Sequence, residues 1–153
     1  NTTGIAGDVK RKDKYPPSWY QILPADKRFV LVMNDEAVLD KETGLVWERT
    51  PSTEIMEQLD DSIKYAYDKI IANRKGWRLP TIEEISSLVD ATQENPSLPQ
   101  GHPFHNIQSG SYRSLTTSGS EGTTTYIEFG VDFSDGHVDD TGARYTWCVR
   151  GGY

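Results

Sequence analysis

Gly76-Trp77-Arg78-Leu79-Pro80-Thr81, continued by Ile82-Glu83-Glu84-Ile85-Ser86-Ser87-Leu88-Val89, is the stretch on which the reading of the fold turns. Pro80 keeps Leu79 out of the helical region, so the chain arrives extended. Thr81 stands where a helix N-cap belongs, and Glu84 follows three residues later, the pattern of a capping box. Ile82, Ile85, Leu88 and Val89 recur at helical spacing and predict a short helix over 81–90 with one apolar face. Trp77 and Leu79 alternate on the extended entry and point toward a core. The stretch carries no nucleophile or base, so it reads as a strand-to-helix corner.

Outward from that corner the pattern is α+β. Upstream, 53–73 predicts a long amphipathic helix. Ile55, Met56, Leu59, Ile63, Ala66, Tyr67, Ile70 and Ile71 share one face, and Glu57, Asp61, Lys64 and Asp68 take the other. Gly76 supplies its stop. Before it, Phe29-Val30-Leu31-Val32-Met33 reads as a buried strand. Ala37-Val38-Leu39 and Leu45-Val46-Trp47-Glu48 form a hairpin about the turn Asp40-Lys41-Glu42-Thr43-Gly44. Residues 1–28 are polar and interrupted by Pro16, Pro17 and Pro24. They read as an arm that packs through Tyr15, Trp19, Tyr20, Ile22 and Leu23, ahead of one domain over 29–153.

Downstream, 91–111 has no clear period and holds Pro96, Pro99 and Pro103. Loops of that length inside a compact domain are often functional, and Leu98, Phe104 and Ile107 predict that this one is pinned to the body. Antiparallel strands follow: 112–117, a turn at Ser118-Gly119-Ser120-Glu121-Gly122, then 124–133. In the second of these, Ile127, Phe129, Val131 and Phe133 are expected inward and Tyr126, Glu128 and Asp132 outward. Asp135-Gly136 marks a hairpin, and 144–150 is expected to close the sheet. Both helices are expected on this one sheet, with the N- and C-terminal strands side by side.

Composition limits the function. The 153 residues carry a formal net charge of −7, which argues against a nucleic-acid partner. Arg11, Lys12 and Lys14 form only a short basic cluster, interrupted by Asp13. No apolar run approaches the ~20 residues of a membrane helix. The chain begins at Asn1 rather than Met, which fits a processed product. Asn1-Thr2-Thr3 matches a glycosylation sequon. Cys148 is the single cysteine, which excludes an internal disulfide. It is expected to be a buried, unreactive thiol.

The other chemical candidates are incomplete. His102 and His105 flank Pro103-Phe104 and would need His137 or a carboxylate to make a metal site. Asp132, Asp135, Asp139 and Asp140 crowd the last hairpin and could offer oxygen ligands to calcium. Adjacent Glu83 and Glu84 point to different sides of their helix and make no acid–base pair. No catalytic residue, metal or cofactor is assigned.

Val38-Leu39-Asp40-Lys41-Glu42-Thr43-Gly44-Leu45-Val46-Trp47-Glu48, Gly76-Trp77-Arg78-Leu79-Pro80-Thr81, His102-Pro103-Phe104, Tyr112-Arg113-Ser114-Leu115-Thr116-Thr117 and Cys148-Val149-Arg150-Gly151-Gly152 occur in the order seen in one family. Over 29–152 the chain resembles the family of the C-terminal domain of the Legionella collagen-like adhesin, found in bacterial exported proteins. The resemblance implies a C-type-lectin-like fold, distantly related to the formylglycine-generating enzymes. Relatives often carry a cysteine near the positions of Ala66 and Tyr67 that pairs with the one matching Cys148; that partner is missing here. The family's Tyr-Trp-Ser-Ser-Thr strand has Arg113 and Leu115 in place of Trp and the second Ser. The adhesin's sulfated polyanionic ligand suits a chain of this charge poorly.

The resulting expectation is an exported, non-catalytic adhesion or binding module for a glycan or protein partner. Its ligand surface would join the 91–111 loop to Tyr112, Arg113, Tyr126, Glu128 and Asp132. The alternatives are a degenerate formylglycine-generating-enzyme relative, which one cysteine disfavours, and a structural or homo-oligomerising module.

Overall fold

The computed structural model describes residues 22–119, 126–140 and 144–151, with the backbone alone at Tyr126. The expected packing of Tyr15, Trp19 and Tyr20, the sequon and most of the Ser118–Gly122 turn lie outside the described residues. The corner at 76–81 forms as expected. Gly76 takes a φ of 93°, and Arg78 in the extended entry bridges antiparallel to Val149. Thr81 caps α3 (Ile82–Ser86) with both arms of the capping box: Glu84 N–H donates to Thr81 Oγ1 at 3.2 Å, and Thr81 N–H donates to Glu84 Oε1 at 2.8 Å. Arg78 grips the same Glu84 carboxylate through two nitrogens, at 2.8 and 2.9 Å.

The short helix α1 (Ala25–Arg28) leads into β1 (Phe29–Val32), β2 (Ala37–Asp40) and β3 (Leu45–Glu48). Gly44, at φ 78°, closes the β2–β3 turn and donates its N–H to the Asp40 carbonyl at 2.8 Å. β1 is not the fully buried strand its composition predicts. It is an edge strand among the described residues, Phe29 is buried, and Val30 is exposed. α2 (Leu59–Asp68) is half the expected length. Its N-terminal side is lost because Met56 instead bridges antiparallel to Arg144. Its C-terminal side ends at Lys69, and Ala72 and Asn73 have positive φ. The buried face matches the expected apolar one only in part, at Ala66 and Ile71. Ser62 and Ala66 are buried, whereas Ile55, Ile63, Tyr67 and Ile70 are exposed.

The last third holds β4 (Ser111–Gly119), β5 (Tyr126–Asp132), β6 (His137–Asp139) and β7 (Val149–Gly151). These strands do not complete one sheet. Two antiparallel sheets form, with order β1-β2-β3-β7 in one and β4-β5-β6 in the other. The closing segment crosses from one to the other: Tyr145 bridges Tyr112 of β4, and β7 pairs with β3. β1 and β7 therefore lie on opposite sides of the β2–β3 pair, which corrects the expectation that the terminal strands are neighbours.

Trp147 sits where the sheets meet. Its ring lies 5.6 Å from Trp47, 4.9 Å from Phe104, 5.5 Å from Tyr112 and 5.6 Å from Phe133, centroid to centroid. These edge and tilted contacts suit aromatic quadrupoles. Ile82, Ile85 and Leu88 pack into the same core. Trp77 and Cys148 belong to a smaller cluster with Ala37, Ala66 and Ile71. The architecture is α+β, with short helices packed against antiparallel sheets.

Candidate functional site

The 91–111 loop is pinned, as its apolar residues predict. Leu98 and Phe104 are buried. Asn95 and Ser97 N–H groups donate to the Ser134 and Phe133 carbonyls, at 3.1 and 2.8 Å. At its far end His105 N–H donates to the Arg49 carbonyl at 2.9 Å, while Arg49 Nε donates to the Pro103 carbonyl at 2.8 Å.

That reciprocal junction forms one wall of a cleft of about 310 Å³, lined by Asp35, Glu36, Glu48, Arg49, Thr50, Lys69, Ile70, Ile71 and His105. The cleft lies where β3 ends, the turn after β1 closes and the chain leaves α2. Glu48 is its buried base. Glu48 Oε1 accepts the Cys148 N–H at 2.7 Å, and Oε2 faces Lys69 Nζ and Tyr65 Oη, both at 3.3 Å. Burial raises the Glu48 pKa, and Lys69 and the Cys148 N–H only partly oppose it. Burial alone would lower the Lys69 pKa, but Glu48 and Tyr65 outweigh it and the net shift is upward. Tyr65 is pushed up to about 12, first by burial and then by the Glu48 charge. Lys69, with its net shift upward, stays an ammonium ion 3.3 Å from the Glu48 carboxyl. Cys148 beside them is shifted strongly upward by burial and by Glu48, so its thiolate is suppressed.

The residues expected on an exposed strand face are placed differently. Tyr112 is fully buried, its ring packed on Phe133 and Trp147 and its hydroxyl accepting the Gln108 N–H at 2.8 Å. Arg113 is 1% exposed. Its Nη1 donates to the Met56 and Gln58 carbonyls, both at 3.1 Å, and to Ser62 Oγ at 2.7 Å. Neither side chain reaches solvent, because both fill the space between β4 and its neighbours. Glu128 is half-buried and neutralises two arginines: Oε1 lies 2.9 Å from Arg113 Nε and 3.5 Å from Arg144 Nη1. Asp132 accepts from Ser134 N–H at 2.9 Å and Oγ at 2.6 Å, so it stabilises the β5–β6 turn. The Tyr126 side chain lies outside the described residues. Ile127, expected inward, is exposed, while Val131 and Phe133 are buried as expected. Of the predicted ligand surface, only the loop contributes to the cleft, through His105.

The metal candidates stay dispersed. His102 Nδ1 accepts the Phe104 N–H at 3.1 Å, and burial first, then His105, lowers its pKa. Asp135 pairs with His137 at 2.9 Å. Among the described residues no group of three or more His, Cys, Asp or Glu could hold a metal ion. No helix among them is long and apolar enough to cross a membrane. Sequence reasoning missed Glu48, Arg49 and Lys69. The one signal available was the acidic Glu48 directly after the apolar run Leu45-Val46-Trp47.

Comparisons with curated proteins and with solved structures find no match. The family model of the Lcl C-terminal domain matches residues 36–150, a span from the turn after β1 into β7 that contains the three-stranded sheet, β2, β3 and the buried Glu48, and the chain belongs to that family.

Proposed function

We propose that this chain is an exported, non-catalytic recognition module of bacterial adhesin type, with a C-type-lectin-like fold, that binds a glycan or protein ligand in the Glu48–Arg49–Lys69–His105 cleft. The observation that carries the reading is the junction of the 91–111 loop with the end of β3. A pinned loop, a clamped arginine and an exposed imidazole meet beside the exposed apolar Ile70. Apolar surface with a few convergent polar groups is the usual make-up of a binding site. Membership of the Lcl C-terminal domain family supports an adhesin-like, exported setting. The suppressed thiolate of Cys148 and the salt-bridged state of Lys69 support a non-catalytic role, since neither is poised as a nucleophile.

Glycan and protein arrays probed with the labelled chain test the reading. A ligand retained by the wild type should be weakened by His105→Ala and by Ile70→Ala, with melting unchanged. Ligands that bind both variants as tightly as the wild type would move the site elsewhere, and arrays with no retained ligand would refute the recognition role.

A further inference from the structure

Resting on that reading, we infer that the cleft selects a sugar bearing a single carboxylate, such as a uronic or sialic acid, with Arg49 as its carboxylate fork. Arg49 is half-buried and is held from two sides by backbone carbonyls: Nε donates to Pro103 O at 2.8 Å and Nη1 to Asp35 O at 3.2 Å. Those carbonyls orient the guanidinium without neutralising it, and among the described residues it has no carboxylate partner. Its Nη2 edge is left with both N–H groups to offer. A pre-oriented, uncompensated guanidinium is suited to bidentate pairing with a planar carboxylate. Lys69 differs: its ammonium is already paired with Glu48 at 3.3 Å and bonded to Tyr65 Oη at 2.8 Å. It adds at most a secondary donor, which leaves the Arg49 guanidinium as the cleft's cation without a carboxylate partner among the described residues. The imidazole of His105 has no partner among the described residues and can accept or donate.

The remaining lining fits the rest of a saccharide. Asp35 and Glu36 are exposed at the rim, with no partner for either carboxylate among the described residues. Carboxylates only accept hydrogen bonds when ionised, and sugar hydroxyls are donors. Ile70, 58% exposed, supplies an apolar wall for the C–H face of a ring. The same two acids disfavour a densely charged polyanion, because each added negative group would approach the rim carboxylates. One free cation ringed by two free acids fits one anionic group on an otherwise neutral, hydroxyl-rich molecule.

The test is a titration of the isotope-labelled chain, followed by amide shifts, with methyl β-glucuronide, N-acetylneuraminic acid, methyl β-glucoside and an N-acetylated tripeptide acid. The acidic sugars should give saturable shifts at Arg49, Lys69 and His105. The neutral glucoside and the tripeptide should bind at least tenfold more weakly. Arg49→Lys keeps the charge but loses the fork, and should weaken the acidic sugars at least tenfold. Ile70→Ala, at an exposed position, should weaken them at least threefold with unchanged melting. Equal binding of glucoside and glucuronide, preference for the tripeptide, or full affinity in both variants would overturn the inference. If the acidic sugars give no shifts while the arrays yield another ligand sensitive to Ile70→Ala, this inference falls and the recognition role stands.

Discussion

Arg113 in β4 donates to Ser62 in α2, Nη1 to Oγ, at 2.7 Å, and so ties the three-stranded sheet to the helix. The same guanidinium takes the Met56 and Gln58 carbonyls on the approach to α2 and pairs with Glu128 on its other side. A buried cation with this many partners is orphaned in part by any truncation. Arg113→Ala should destabilise the fold by about 3–5 kcal/mol, the range for breaking a buried pair. Arg113→Lys should recover only part of the loss, because a single ammonium cannot span Glu128 and the α2 carbonyls together. Urea unfolding of the two variants checks this; a loss below about 1 kcal/mol in Arg113→Ala would show the network to be dispensable.

Glu48 sets a pH dependence. Its folded pKa lies above the ordinary 4.5, because burial penalises the carboxylate more than Lys69 and the Cys148 N–H favour it. The folded chain therefore takes up this proton at a higher pH than the unfolded chain. Its contribution to stability improves as pH falls through the raised folded value toward 4.5, and its penalty is complete above that value. Glu48→Gln keeps an acceptor for Cys148 N–H and removes the titration. The stability of Glu48→Gln minus that of the wild type should increase between pH 4 and pH 8. Denaturant melts at both pH values measure it, and a difference independent of pH would contradict the assignment.

What could be read beforehand was local chemistry. Thr81 with Glu84, Gly44 after Asp40-Lys41-Glu42-Thr43, and Asp135-Gly136 each encode a cap or turn within a few residues, and each forms. The errors came from partners distant in the chain. Met56 leaves the expected helix for Arg144, 88 positions on. The apolar periodicity of α2 misled because its small residues, Ser62 and Ala66, face inward to admit Arg113 and the Cys148 cluster. Arg28 and Arg113 look like surface residues in a sequence, yet both are buried. Arg28 is held by both Asp40 oxygens at 2.8 Å and by the Ser87 carbonyl at 2.9 Å. The cleft joins the turn after β1, the end of β3, the end of α2 and residue 105, so no contiguous motif announces it.

Trp47 and Trp77 are 0% and 4% exposed, in different clusters. Alanine at either should cost about 3–5 kcal/mol, as expected for deleting a buried aromatic. Because the clusters are separate, the double variant should lose about the sum. Chemical denaturation of the single and double variants gives the comparison, and wild-type melting in either single variant would exclude its burial.

Cys148 and Ala66 pack in the same small cluster, and both are buried. Burial and the Glu48 charge hold the Cys148 thiol protonated, so a thiol reagent should label it only on unfolding. Labelling followed by mass spectrometry, with and without denaturant, should give modified protein only where denaturant is present. Ala66 is also one of the two positions near which the family resemblance implies a second cysteine. Ala66→Cys should therefore form a disulfide with Cys148 under oxidising conditions. The crosslink would close a loop of about 80 residues and raise stability by roughly 2–4 kcal/mol. Native-state labelling of Cys148 in the wild type would contradict its burial, and a variant that stays fully reduced in air would show the two side chains to be misaligned.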